Sequence, residues 1–266
     1  MNYLVTGGLG FIGTNLSIKL NELSIGFTLL DKLQGEDVVD CPVVPLAYDK
    51  IVHLAAFTNI RESIKWPRQA IKQNCDSTLQ ALTWARDLRS HLIFSSSMGA
   101  ASPTSPYTAS KLACEAFCTA FRESFGIDTT ILRFSNVYGP HSKFKGSVIP
   151  TFIKRALHKK SLEIYGNGFQ TRDFVYVDDV TDAIVNCPKR AFMNIASGTT
   201  TSVLEIAEHI QRLSEIRTNF CPKIELYKPI KGEITKVSTT TDIKPKTSLE
   251  EGLEKTFNWF LDHYAA

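Results

Sequence analysis

Long apolar runs are absent from this chain. None reaches the about 18 residues that a membrane-spanning helix needs, and Asn2-Tyr3-Leu4-Val5-Thr6 opens directly as an apolar strand with no basic leader before it. These absences lead to the expectation of a cytoplasmic protein without a membrane partner. Closely spaced cysteine pairs are missing as well. Cys41, Cys75, Cys114, Cys118, Cys187 and Cys221 form no C-x-x-C motif and no Cys/His spacing suited to zinc, so reduced, mostly buried thiols are expected and no metal site. A dominant charge is also lacking: 30 Lys and Arg against 27 Asp and Glu leave a net +3, and the basic residues are scattered except for short groups such as Lys154-Arg155 and Lys159-Lys160. That balance argues against a nucleic-acid partner. No repeat or low-complexity tract interrupts the 266 residues, of which 43% are hydrophobic and 21% charged, enough for one large or two small globular domains with a sizeable core.

What is present begins with a strand, a glycine loop and a helix. The strand at residues 2–6 runs into Gly7-Gly8-Leu9-Gly10-Phe11-Ile12-Gly13 and then the helical stretch NLSIKLNEL. Gly8, Gly10 and Gly13 fit G-x-G-x-x-G, while Gly7, Gly10 and Gly13 fit a G-x-x-G-x-x-G register. A pyrophosphate needs bare backbone because the turn is tight, the amides must approach it closely and the helix must pack near the strand. A second strand, FTLL, ends at Asp31. A carboxylate there accepts from ribose hydroxyls and repels a 2′-phosphate, which predicts NAD rather than NADP. CPVVPL and DKIVHLAA read as third and fourth strands, buried on both faces as parallel strands are. A helix from about Arg68 to Arg86 follows, then the strand HLIF, a helix after Tyr107 and a sixth strand, TTILRF. This alternation predicts a doubly wound parallel α/β sheet.

Beyond Gly139-Pro140 the organisation changes. A helix near Val148–His158, a strand FVYV, a helix DDVTDAIVNC, a strand FMNIAS and a helix from about Ser202 with Glu205 in capping-box position are expected, then a last helix opened by Thr247-x-x-Glu250. The chain thus divides into a dinucleotide-binding domain over 1–140, with returning elements near 174–197, and a smaller α/β substrate-binding region over 141–266.

The chemistry is carried by Phe94–Lys111, FSSSMGAASPTSPYTASK. Ser95, Ser96 and Ser97 follow HLIF at the C-terminal end of a strand, where open parallel sheets place ligands. Tyr107 precedes Lys111 by one helical turn, so phenol and ammonium share a face. A phenol with an ordinary pKa of about 10 is a poor base, and a fixed cation beside it stabilises the phenolate. Tyr107 is therefore a candidate proton acceptor, with one of the serines sharing the proton.

Glycine loop, Asp31, serine run and Tyr107/Lys111, in that order, resemble the extended short-chain dehydrogenase/reductase family, in particular NAD-dependent nucleotide-sugar epimerases of the UDP-glucose 4-epimerase type. The likeness extends to HLAA, KWPRQAIKQNCDSTL, LRFSNVYGP, SLEIYGNGFQTRDFVYVDDV and TSLEEGL. It implies a Rossmann sheet, Tyr107 as base, Lys111 as its cationic partner on the nicotinamide ribose, and Ser97 as the catalytic hydroxyl with Ser96 its nearest rival. NAD is then expected on Gly7, Gly10, Phe11, Ile12, Gly13, Asp31, Leu54, Ala55, Ala56 and Asn74. A UDP-sugar or similar nucleotide sugar is expected on Asn136, Ser147, Val148, Tyr165 and Arg172, with Arg172 either on the diphosphate or paired with Asp173, and Tyr165 either on the base or in the core. The resemblance also implies a homodimer through the helix at Arg68 and the Tyr107 helix.

The chain departs from that pattern in several places. Only nine residues separate Ser97 from Tyr107, a Gly-Asp-hydrophobic element for adenine is missing after Asp31, and Ile230-Lys231-Gly232-Glu233 stands where a second phosphate-binding Arg is usual. A barer cofactor pocket is expected, with Lys228 or Lys231 as replacement cations. Related dehydratases and decarboxylases carry an acid just after the catalytic hydroxyl, where this chain has Met98 and Gly99. The expected reaction is therefore 4-epimerisation through a transient 4-keto sugar. A dehydratase, a keto-sugar reductase or a catalytically silent nucleotide-binding module are the alternatives. Val237, a small residue near the position facing the C2 substituent, predicts tolerance of N-acetylated hexoses.

Overall fold

The computed structural model describes residues 1–35, 37–41, 47–228 and 239–264. In chain order the elements are β1 (Asn2–Thr6), α1 (Phe11–Glu22), β2 (Gly26–Leu30), β3 (Lys50–His53), α2 (Ile60–Lys65), α3 (Pro67–Leu88), β4 (His91–Ser97), α4 (Pro106–Phe125) and β5 (Thr129–Phe134). There follow β6 (Asn136–Tyr138), α5 (Val148–Leu157), β7 (Leu162–Tyr165), β8 (Thr171–Arg172), β9 (Phe174–Tyr176), α6 (Val177–Asn186), β10 (Phe192–Ile195), β11 (Thr201–Ser202), α7 (Val203–Thr218), β12 (Ile224–Tyr227) and α8 (Leu249–Tyr264). The chain forms two compact units, Met1–Phe134 with Thr181–Ile195, and Ser135–Val180 with Ala196–Ala266.

In the first unit six strands form one parallel sheet in the order β10-β5-β4-β3-β1-β2. Leu4, Val5, Ile51, Val52, Leu92, Ile93 and Phe94 are buried along its centre, as expected where helices cover both faces. The chain leaves β1 for β2 on one side and returns to β3 on the other, so the strand order reverses between Thr6 and its register partner His53. That reversal opens a crevice at the strands' C-terminal ends. α3 and α4 cover Leu82, Trp84, Leu92, Phe94, Cys114 and Cys118, each large apolar side chain contributing about 1.5–3 kcal/mol by leaving water. The third strand expected at CPVVPL spans residues 41–46, of which 42–46 lie outside the described residues.

Local chemistry fixes the helix ends. α4 starts with Pro106 behind a reciprocal cap between Ser105 and Thr108, and stops at Gly126 with φ 68°. In the second unit α7 carries the Ser202/Glu205 capping box that its spacing predicts. α8 begins two residues later than Thr247: the Ser248 hydroxyl accepts from the Glu251 amide at 3.3 Å and is the cap. The second unit's core gathers Tyr138, Phe152, Phe174, Tyr176, Ile206, Phe257 and Phe260. Its strands pair two by two, β6 with β9 and β7 with β12 in parallel, β8 with β11 antiparallel. No helix among the described residues is long and apolar enough to cross a membrane.

Candidate active site

The glycine loop is bare because its neighbours leave no room. Gly7 has φ 67°, and a Cβ added there would lie 2.7 Å from the Ala55 nitrogen; one on Gly13 would lie 2.5 Å from the Gly7 carbonyl and 2.6 Å from that of Gly8. These are backbone atoms that cannot step aside cheaply. The loop closes through Gly10 N–H donating to Gly7 at 3.1 Å, and Phe11, Ile12 and Gly13 open α1 behind it. A helix start beside a bare loop suits a pyrophosphate. Gly13→Ala is expected to weaken NAD binding about 10- to 100-fold, the equivalent of about 1–3 kcal/mol of overpacking. Isothermal titration with NAD checks this, and an unchanged affinity would remove the loop from the cofactor site.

Asp31 ends β2. One carboxylate oxygen accepts from the Leu9 amide at 3.0 Å and the other from Leu33 at 3.0 Å, which ties the acid to the glycine loop. A cavity of about 510 Å³ opens beside it, lined by Gly7, Asp31, Ala55 and Ala56. Asp37, Val38, Val39 and Asp40 form a further wall of that cavity. Val38 is buried in the core, and a Lys32–Asp37 ion pair of 2.7 Å together with the Val39 amide fixes the turn. The pairing holds the Asp37 carboxyl below its ordinary range although burial acts the other way. Leu54 and Ala55 continue β3, their amides donating to the Thr6 carbonyl and hydroxyl. Asn74 does not open onto this space through a spare group: its amide accepts from Phe57 N–H at 2.6 Å and donates to the Phe57 carbonyl and the Ser110 hydroxyl. It braces the loop after β3 instead.

The three serines at the end of β4 do different things. Ser95 donates to the His53 carbonyl at 2.8 Å, and Ser96 donates to Glu115 at 2.5 Å. Ser97 caps the turn at Gly99, and its hydroxyl is the one that bears on the Tyr107 phenol, favouring the ionised form. Of the two candidate hydroxyls, Ser96 is taken up by Glu115, and Ser97 is the one that acts on the Tyr107 phenol. The Tyr107 amide in turn donates to the buried Ser63 hydroxyl at 3.3 Å. Lys111 is buried with its ammonium donating to the Ser95 carbonyl at 2.8 Å and lying 4.8 Å over the Phe94 ring. Burial lowers its pKa to about 8, against the opposing pull of Cys114, Cys118 and Glu115. The expected lowering of the phenol is not what the protein matrix does: burial pushes Tyr107 up to about 12, and the Ser97 hydrogen bond is the force that lowers it. His53, spanned by Thr6 and Thr78, is driven down to about 3 by burial and by Lys111, so it stays neutral.

In the second unit, Asn136 donates through its backbone and its side chain to the Asp173 carbonyl at 3.0 and 3.1 Å. The buried Asp173 carboxylate takes the Ser135 hydroxyl and the Ser197 and Gly198 amides, so hydroxyl and backbone donors serve it. Arg172 donates to the Thr171 carbonyl and pairs Thr201 across β8 and β11. Ser147 precedes α5 without a side-chain cap bond, and Val148 is its first residue. Tyr165 is 42% exposed, so it is a surface ring and not core; it faces its register partner Tyr227 at 5.7 Å. Lys228 is exposed, whereas Lys231 and Val237 lie outside the described residues.

Residues 3–192 match the family model described as the NAD dependent epimerase/dehydratase family. The chain belongs to that family. It is 31% identical over 300 residues to a Methanocaldococcus jannaschii protein provisionally named UDP-glucose 4-epimerase, covering 96% of this chain and 97% of that one. It is 27% identical over 312 residues to a UDP-N-acetyl-alpha-D-glucosaminuronate decarboxylase from Bacillus cytotoxicus, covering 97% of each. A crystal structure of UDP-glucose 4-epimerase from Thermotoga maritima with UDP-glucose superposes with a TM-score of 0.90 at 28% identity, over 98% of this chain and 99% of that one.

Within this epimerase/dehydratase framework, sequence reasoning missed Ser63, Thr108 and the acidic wall at Asp37–Asp40. For the wall a signal existed. Gly35-Glu36-Asp37-Val38-Val39-Asp40 contains an Asp followed by apolar residues. Ser63 carried none, since a lone serine on a short helix has no pattern. Among the described residues no cluster of His, Cys, Asp and Glu could hold a metal ion.

Proposed function

We propose that this chain catalyses NAD-dependent 4-epimerisation of a UDP-hexose through a transient 4-keto sugar. The observation that carries the reading is the end of β4, where Ser97, the serine that bears on the Tyr107 phenol, is followed by Met98 and Gly99 rather than by an acid. A Cβ at position 99 would lie 2.7 Å from the Thr108 methyl, on a buried side chain that also caps α4. Thr108 is stiff at χ1, so an acidic side chain there displaces the helix start. Without that acid, elimination and decarboxylation lose their proton donor or acceptor, and returning the hydride to the carbon it left is the outcome the residues support.

NAD, when bound, supplies a reversible hydride acceptor. The chain's own groups do the rest. Tyr107 Oη takes the proton of the 4-hydroxyl and later gives one back; Ser97 Oγ shares that proton and fixes the hydroxyl. Lys111 places a positive charge one turn away and, with Gly7, Gly10, Phe11, Ile12, Gly13 and Asp31, holds the cofactor alongside Leu54, Ala55, Ala56 and the Asn74-braced loop. In the second unit Asn136 and Arg172 suit the diphosphate, Arg172 through paired donors. Ser147 and Val148 suit the nucleoside and Tyr165 the base.

Proton NMR of UDP-glucose, UDP-N-acetylglucosamine and UDP-glucuronate with enzyme and NAD tests the reading. Growth of a 4-epimer without net NADH is expected. Loss of water or carbon dioxide assigns the chain to its dehydratase or decarboxylase relatives, and binding without turnover assigns it to a silent module. Tyr165→Ala is expected to raise the KM for the nucleotide sugar about tenfold, the low end of what an aromatic stack on a base contributes, with kcat unchanged. Equal KM values in the two proteins would remove Tyr165 from the base site.

A further inference from the structure

The Tyr107 helix has a third rung. Tyr107, Lys111 and Glu115 succeed one another at four-residue spacing along α4, and the latter two bond consecutive residues of β4, next to the Ser97 that bears on Tyr107. Lys111 donates to the Ser95 carbonyl at 2.8 Å, and Glu115 accepts from the Ser96 hydroxyl at 2.5 Å. Glu115 is buried, and Arg133 of β5 closes on it with two bonds, Nε to Oε1 at 2.8 Å and Nη2 to Oε2 at 2.6 Å. The guanidinium is packed 4.5 Å over the Phe192 ring of β10. The bidentate geometry and the ring fix Arg133, Arg133 fixes Glu115, and Glu115 fixes both the strand end and the helix.

We propose that Glu115 is a positioning residue for Lys111: it sets the register of α4 on the end of β4 and supplies the buried negative charge that keeps the Lys111 ammonium protonated where the cofactor ribose is expected. A purely structural pair would not explain the placement. Replacing a buried ion pair with apolar residues is often neutral or stabilising, so an ionic pair one turn from a buried ammonium has its use in the charge. The titratable and charged groups around Lys111 are Cys114, Cys118 and Glu115 on its own helix, Tyr107 at the helix start and His53 from β3, with Arg133 of β5 on the far side of Glu115. His53 is neutral and both thiols are held in the protonated form by burial. Glu115 is therefore the negative charge in that shell, and the charge relation runs in the expected direction, upward for Lys111.

The inference rests on the proposed site, but its test needs no turnover. Lysines labelled at Cε are titrated by NMR in the full-length protein, with Lys111 assigned by Lys111→Arg. Glu115→Gln is expected to lower the Lys111 midpoint by about one pH unit, a partly neutralised charge one turn away at an effective dielectric near 20. Ser96→Ala, which removes the rung and keeps the charge, is expected to leave the midpoint in place. An unmoved midpoint in Glu115→Gln, or equal movement in both variants, overturns the proposal, the second because loosened packing would then be the cause. If Glu115→Gln does not fold, Glu115→Leu combined with Arg133→Met removes both charges without orphaning either; because the more distant Arg133 charge goes as well, a smaller downward shift of the Lys111 midpoint is expected, and an unmoved midpoint overturns the proposal. A Lys111 midpoint that moves as stated in a protein that turns out to be a decarboxylase keeps the inference and discards only the assigned reaction.

Discussion

Tyr107→Phe is expected to lower kcat about 10³-fold, with the KM for the nucleotide sugar and the affinity for NAD both within about threefold of the parent. The phenol is the group placed to accept a proton, and its loss acts on the chemical step, while Phe keeps the ring that packs at the start of α4. Tyr107 is anchored by the hydrogen bond from its backbone amide to the Ser63 hydroxyl, which does not involve the phenol, so the fold is expected to persist. Burial pushes the phenol up to about 12, so at neutral pH Tyr107 is mostly protonated in the protein itself. It therefore acts as a relay whose ionised fraction rises about tenfold per pH unit through the neutral range. Steady-state kinetics of purified Tyr107→Phe, with near-ultraviolet circular dichroism as the folding control, checks the prediction. A loss of less than about tenfold would give the proton to another group, and Ser97→Ala would then be the next variant.

Much of the fold was legible in the sequence because its signals are local. The strand, glycine loop and helix from Asn2 to Glu22, the buried apolar strands and the caps of α4 and α7 are all written in short stretches whose physics does not depend on distant residues. Ser97 over Ser96 followed from the family resemblance and not from the local pattern. The choice depends on which hydroxyl Glu115 captures, and Glu115 lies 19 positions away on another element. The direction of the Tyr107 shift was misjudged for a similar reason. Spacing puts phenol and ammonium on one face, but it says nothing of how deeply the ring is buried or that Lys111 is engaged by the Ser95 carbonyl. The cavity wall at Asp37–Asp40 was hidden because it lies in a turn, held by the Lys32–Asp37 ion pair, that has no strand or helix periodicity. Tyr165 was undecided between core and surface until its register with Tyr227 placed both rings outside.

Lys111→Met separates what the site needs from what the fold prefers, and its two effects are expected to have opposite signs. Activity falls about 10²-fold, the usual cost of removing one fixed electrostatic contact to the reacting centre. Stability rises. Lys111 has its pKa lowered by burial to about 8, against an ordinary value of about 10.4, so the folded chain binds fewer protons than the unfolded chain between those limits. Stability therefore increases with pH through that window, and below about pH 8 the fold carries the full cost of a buried ammonium, about 3 kcal/mol at most. Methionine removes that cost but also loses the hydrogen bond to Ser95 and the contact over Phe94, which together offset about 2 kcal/mol. The net gain of about 1 kcal/mol corresponds to a melting temperature about 2–4 °C higher at pH 7. That gain should shrink as the pH approaches 10, where the parent's ammonium is already neutral. Differential scanning calorimetry of both proteins from pH 6 to 10 gives the answer. A variant less stable than the parent at pH 7, or a difference that does not change with pH, would mean that Lys111 is held in the fold as a stabilising contact and not as a charge kept ready for the reaction.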